Sequence, residues 1–110
     1  MDFQTLLSFI KTENAHLAAF YGETLADQDK RKLAQMVKLT EEVGEVANEV
    51  LASQGTQRPE KLAKHSADNL PEELADVLIV TLLLADLYGL DVPRLLEEKM
   101  AKIKKRHATS

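Results

Sequence analysis

The stretch from Val77 to Leu87 is apolar almost all the way round a helix, broken only by Thr81 and Asp86. A helix of that kind has to be buried on several sides, by its own chain or by a second copy. On a wheel turning about 100° per residue, Glu73 and Asp76 continue the stripe formed by Val80, Leu83 and Leu87. Two carboxylates are thereby carried inward or into a cleft, where burial without partners is costly. The membrane gives no way out, because the apolar run Val77 to Ala85 is roughly half the length of a span.

Nearly every other segment also reads as helix, and no run has the period-two pattern of β-branched and aromatic residues that a strand needs. The first helix is expected from Asp2 to about Phe20, with Asp2 as cap and Gly22 as stop. A polar loop from Gly22 to Asp29 precedes a second helix from about Asp29 to Ser53, which Gly55 and Pro59 end. Residues Gln54 to Asn69 read as a surface connection with at most one short turn of helix. Asn69 or Asp68 caps a third helix with Pro71 in its first turn and Gly89 as its stop. Asp91 caps the fourth, with Pro93 in its first turn, and it runs to about His107. With 110 residues and no evident linker, the expectation is one domain over 1–110, an all-α four-helix bundle that assembles as a dimer or a dimer of dimers.

The second helix carries a matching set of acids. Leu33, Met36, Leu39, Val43, Val46, Ala47, Val50 and Leu51 cover one broad side, while Glu41, Glu42, Glu45 and Glu49 fill an arc of about 100° beside it. Lys38 joins that arc one turn earlier. Taken alone, this is an ordinary solvated face of an amphipathic helix. Brought against Glu73 and Asp76 it becomes a nest of carboxylates whose mutual repulsion calls for cations. An all-oxygen donor set suits hard ions, Mg²⁺ first and Mn²⁺ second.

The remaining composition narrows the function classes. There is no cysteine, which excludes disulfides and thiolate metal sites and fits a reducing cytoplasm. The formal charge of −4 argues against stable nucleic-acid binding. The N-terminus lacks the layout of a secretory signal, so a cytoplasmic protein without a membrane partner is expected. Basic residues collect on the last helix as Lys99, Lys102, Lys104, Lys105 and Arg106. Lys99, Lys102 and Arg106 follow at three- and four-residue steps and can share a face. The helix dipole alone also favours cations there.

The strings Glu41-Glu42-Val43-Gly44-Glu45 and Glu73-Leu74-Ala75-Asp76, in that order with a loop between, resemble the two signatures of the MazG-like family of all-α nucleoside triphosphate pyrophosphohydrolases. The resemblance runs from about Lys38 to His107. It implies Mg²⁺-dependent hydrolysis of nucleoside or deoxynucleoside triphosphates to monophosphate and pyrophosphate, a house-cleaning activity on the nucleotide pool. By the same resemblance Glu42, Glu45, Glu73 and Asp76 hold the metal, and Glu41 orients or deprotonates the attacking water. Lys38, Lys99, Lys102 and Arg106 would contact substrate phosphates, the last three from within the chain or from across a subunit boundary. Where the family pattern has Asn between the last basic positions, this chain has Ile103. Phe20 and Tyr21, at the end of the first helix, are the candidate base contacts, whereas Phe9 and Tyr88 read as core residues.

Two other readings compete. Glu13-Asn14-Ala15-His16 matches half of a carboxylate-bridged di-iron site, which needs a second copy that this sequence lacks. A non-enzymatic dimerisation or regulatory module would use the same acids only as solvated charge.

Overall fold

The computed structural model describes residues 1–21, 27–55, 58–62 and 69–108. Four long helices and one single turn account for almost all of them: α1 (Phe3–Tyr21), α2 (Gln28–Ser53), α3 (Pro59–Leu62, the single turn), α4 (Asn69–Leu87) and α5 (Val92–Ala108). The four long helices are those read from the sequence. Gly22, Asp68 and His65, and the side chain of Tyr21, lie outside the described residues.

Local chemistry fixes the helix ends. The Asp2 carboxylate accepts from the Thr5 amide at 2.8 Å, satisfying one of the donors that the first turn leaves open. The cap of α2 is Asp27, whose carboxylate accepts from the Asp29 amide at 2.9 Å. Asp29 then sits in the first turn, where the dipole favours a negative charge. Gly89 ends α4 at φ +66°, a left-handed conformation that costs other residues about 1–2 kcal/mol. Its amide bonds the Asp86 carbonyl at 2.9 Å and the Leu90 amide bonds the Ala85 carbonyl at 3.1 Å, the paired closure of a Schellman ending. The Asp91 carboxylate then receives the Arg94 amide at 3.2 Å and starts α5.

Among the described residues, α4 is the centre of the fold. It packs along α2 and, less extensively, against α1. Val80 and Leu83 on α4, Ile10 on α1 and Val92 at the start of α5 are the buried apolar side chains. A polar knot ties α1 to α4 beside them. Asn14 is buried and donates through Nδ2 to the Leu83 carbonyl at 3.1 Å and to Asp86 at 2.9 Å. Lys11 reaches Asp86 at 2.8 Å, and Arg31 of α2 donates to the Asn14 carbonyl at 3.1 Å.

The single chain leaves much apolar surface uncovered. Its radius of gyration is 17.4 Å, against about 13 Å for a compact domain of this length. Of the α2 apolar side, Leu33, Met36, Val43, Val50 and Leu51 remain exposed. The α2 flank that meets α4 is instead the edge running through Gln35, Leu39, Glu42, Val46 and Glu49. On α4, Leu74 and Leu78 stand exposed on one side, Leu78 at 66 %. Phe9 and Tyr88 are half-exposed rather than in the core, and Lys32 lies 4.6 Å above the Tyr88 ring. One chain lacks the surface to bury both sides of α2 and α4, and the acid-bearing edge of α2 takes the contact.

Asp86 makes part of this packing sensitive to acid. Burial pushes its carboxyl up, but hydrogen bonds from Lys11 and Asn14, with the Lys11 and Arg31 charges, outweigh burial and hold it below its usual value of 3.8. A carboxyl depressed in the folded state contributes stability that is present above its unfolded pKa and is lost as pH falls through the folded one. Asp86→Asn is therefore expected to lower the unfolding temperature at neutral pH. The gap to the parent should close progressively below about pH 3.8, as followed by circular dichroism melts across that range.

Candidate functional site

Three acids from two helices converge. Glu42 of α2 and Glu73 and Asp76 of α4 each offer an oxygen, and these oxygens all lie within 4.8 Å of one another. The convergence follows from helix geometry. Glu73 and Asp76 are one turn apart on the side of α4 that faces α2, and Glu42 sits on the α2 edge turned to meet them. Glu42 is buried, Glu73 half-buried and Asp76 exposed, so the group opens to solvent on one side.

The electrostatics are those of crowded like charges. Burial raises the Glu73 carboxyl above 4.5, and the charges of Asp76, Glu42 and Glu45 raise it further, with the hydrogen bond it shares with Glu42. Among the described residues, Lys38 stands close by, its Nζ 3.1 Å from Glu42. The hydrogen bond to Glu42 and then the Glu42 charge raise the Lys38 pKa against the effect of burial, with Glu41 and Asp76 adding to the rise. Among the described residues, the Lys38 ammonium on the flank of three carboxylates leaves an excess of negative charge that a divalent ion would offset. The donors are all carboxylate oxygens, a set suited to Mg²⁺ or Mn²⁺ and poor for softer metals.

The other residues singled out in the sequence fall in different places. Glu45 is outside the converged trio, although its charge acts on Glu73. Glu49 receives the Asn69 side-chain amide at 3.4 Å, linking α2 to the start of α4. Glu41 is exposed and, with Lys38, lines a cavity of about 450 Å³ between α1, α2 and α4. Lys99, Lys102 and Arg106 are exposed on α5, a helix that packs little against either acid-bearing helix of the same chain. Phe20 is 82 % exposed at the end of α1. His16 reaches only Glu13, at 3.9 Å, and neither belongs to a cluster of three metal-ligating residues among the described ones.

Sequence reasoning missed the polar lining of the cavity. Asn14, Arg31 and Gln35 line it together with Glu13 and the aliphatic side chains of Leu17, Val80, Leu83 and Leu87. The signal available for Asn14 was indirect: Asp86, a lone acid inside an apolar helix, needed a partner. No signal marked Gln35, a polar residue at an ordinary helical position.

Comparison with known proteins agrees with the convergence of the two acidic signatures. The pattern of the MazG nucleotide pyrophosphohydrolase domain matches residues 30–110, a range that contains Glu42, Glu73 and Asp76. No match was found among curated proteins or among solved structures. With most of its length matched and both acidic signatures brought together in space, the chain belongs to the MazG nucleotide pyrophosphohydrolase family.

Proposed function

We propose that the chain is a divalent-metal-dependent pyrophosphohydrolase that cleaves nucleoside or deoxynucleoside triphosphates between the α and β phosphates, releasing monophosphate and pyrophosphate. The observation that carries this reading is the meeting of Glu42, Glu73 and Asp76 within 4.8 Å, one signature from each of two helices. Glu42, Glu73 and Asp76 would hold the ion, with Glu45 joining them from the edge of the group. Mg²⁺, or Mn²⁺ in its place, would neutralise the triphosphate and stabilise the charge that develops as the bond breaks.

The chain's own residues supply position and charge, which dominate phosphoryl transfer. Glu41 lies one residue before the buried Glu42 and faces the cavity, where it can orient a water and take its proton. Lys38, kept charged by Glu42, holds a phosphate oxygen beside the acids. Lys99, Lys102 and Arg106 extend this role from a neighbouring subunit, since α5 packs little within its own chain. Phe20 and Tyr21 are the aromatic contacts for a base. No helix among the described residues is long and apolar enough to cross a membrane, which suits a cytoplasmic enzyme that clears the nucleotide pool.

The uncovered apolar sides of α2 and α4 support assembly. Leu74 and Leu78 on α4, with Leu33, Met36 and Val43 on α2, form surface of the kind that monomers seldom expose over a large area. Pairing through α4 into a dimer, or a dimer of dimers, covers it. Sedimentation velocity at micromolar protein should give a dimer or tetramer, and a purely monomeric species would overturn the assembly.

Pyrophosphate release with Mg²⁺ tests the chemistry. Glu42→Gln and Asp76→Asn should each reduce it about 10³-fold or more, the rate equivalent of several kcal/mol of charge stabilisation, with helicity retained. Turnover unchanged by both substitutions would reject the site. No turnover on any nucleotide would favour the regulatory module instead.

The charge crowding makes a separate statement about stability. A carboxyl raised in the folded state costs stability once it ionises, so removing its charge relieves the fold. Glu73→Gln is expected to raise the unfolding temperature in metal-free buffer and to abolish the further rise that Mg²⁺ gives the parent protein. A variant that melts lower without metal, at neutral pH, would contradict the crowding.

A further inference from the structure

The ion pair beside the converged acids joins an exposed side chain to a buried one. Lys38 Nζ lies 3.1 Å from Glu42 Oε1, and the two side chains are 53 % and 11 % exposed. Glu42 is one of the three acids whose oxygens lie within 4.8 Å of one another. Its carboxylate has lost most of its water and needs a partner of opposite charge. The pair does little for α2 itself. Lysine precedes glutamate by four residues, the less favourable order for support along a helix, and holding a long exposed side chain in one place costs entropy.

The ammonium stands on a boundary. Lys38 and Glu41 line the cavity between α1, α2 and α4, and Lys38 reaches from there to Glu42. Asp76 is the exposed member of the acidic group, so the group opens to solvent on its side. A cation arriving there meets acids whose buried member is already paired. Two positive charges sharing the Glu42 carboxylate repel each other. Lys38 can yield, because its flexible four-carbon stem is half in solvent and can leave Glu42 without moving α2. The cavity that it lines gives the released ammonium a place to go.

We propose that Lys38 is the resident counter-ion of the acids in the metal-free protein, displaced from Glu42 when a divalent ion binds and then free to meet an anion in the cavity. The inference rests on the hydrolytic reading for the identity of that anion, a phosphate oxygen of the substrate. It goes beyond that reading in setting Lys38 against the metal. Lys38 therefore acts with opposite signs on two ligands. It weakens binding of the metal alone and strengthens binding of the metal with its nucleotide. The exchange leaves the buried Glu42 carboxylate with a positive partner at every stage, first the ammonium and then the ion.

The test is binding of Mn²⁺ alone to the full-length chain at low ionic strength, read from the paramagnetic resonance of the free ion. Lys38→Met and Lys38→Gln should each bind Mn²⁺ about threefold more tightly, the scale of an exposed ion pair. Lys38→Arg keeps the charge and should stay near the parent. Lys32→Met removes a charge elsewhere on α2, beside the Tyr88 ring, and should leave the affinity unchanged. In metal-free buffer Lys38→Met should melt below the parent, and saturating Mg²⁺ should close the gap, because the parent has by then released the pair. The KM for the magnesium–nucleotide complex should rise about tenfold in Lys38→Met, as a lost charged hydrogen bond predicts. Mn²⁺ affinity unchanged or weakened in both neutral variants would overturn the displacement, and the metal site would stand if Glu42→Gln still abolished binding. Tighter Mn²⁺ binding in those variants without pyrophosphate release from any nucleotide would retain the displacement and remove the hydrolytic reading.

Discussion

Repulsion among carboxylates at the α2–α4 contact is the constraint around which the protein is arranged. Two helices that could have met through their apolar sides meet instead along an edge that places Glu42 against Glu73 and Asp76. Burial, and after it the crowded charges, keep the Glu73 carboxyl raised, and Lys38 offsets part of the charge. A fold optimised for stability alone would separate these groups or replace them with apolar side chains. Their retention at the central helix pair makes sense when an ion and a polyphosphate complete the balance, since like charges become an asset only when something of opposite sign arrives.

The same arrangement explains the open shape of the single chain. With the acid-bearing edge of α2 turned toward α4, the apolar stripe through Leu33, Val43 and Val50 faces outward, as do Leu74 and Leu78. The site and the uncovered surface are therefore two consequences of one rotational setting of α2. A second copy on that surface would hold the setting in place and bring additional side chains toward the acids. The acidic group and any such assembly would then be coupled through a single helix.

The sequence was legible wherever one residue's chemistry has a single local outcome. Asp2, Gly55, Gly89 and Asp91 mark helix ends, and the structure uses each as a cap or a left-handed stop. The spacing of Glu73 and Asp76 placed them on the stripe with Val80 and Leu83, and the α4 geometry follows that stripe. What a helical wheel does not give is the partner. It locates the apolar side of α2 but not which of its flanks meets α4, and Leu33 and Val43 on that side are exposed in the single chain. Phe9 and Tyr88 were misplaced for the same reason. The Asn14–Asp86 knot joins residues 72 positions apart, a separation across which periodicity carries no information.

That knot also divides the protein's tasks. The family match begins at residue 30, so it includes the acids of α2 and α4 and leaves out α1. Yet α1 supplies Glu13, Asn14 and Leu17 to the cavity, and Asn14 reaches α4 through the carbonyl of Leu83 and the carboxylate of Asp86. Chemistry that any triphosphate can undergo needs only charge in the right place, and the matched region holds that charge. The ion pair of Lys11 with Asp86 fixes that contact from the helix that the general pattern does not include, so substitutions along α1 can reshape the cavity wall while leaving the acids where they are.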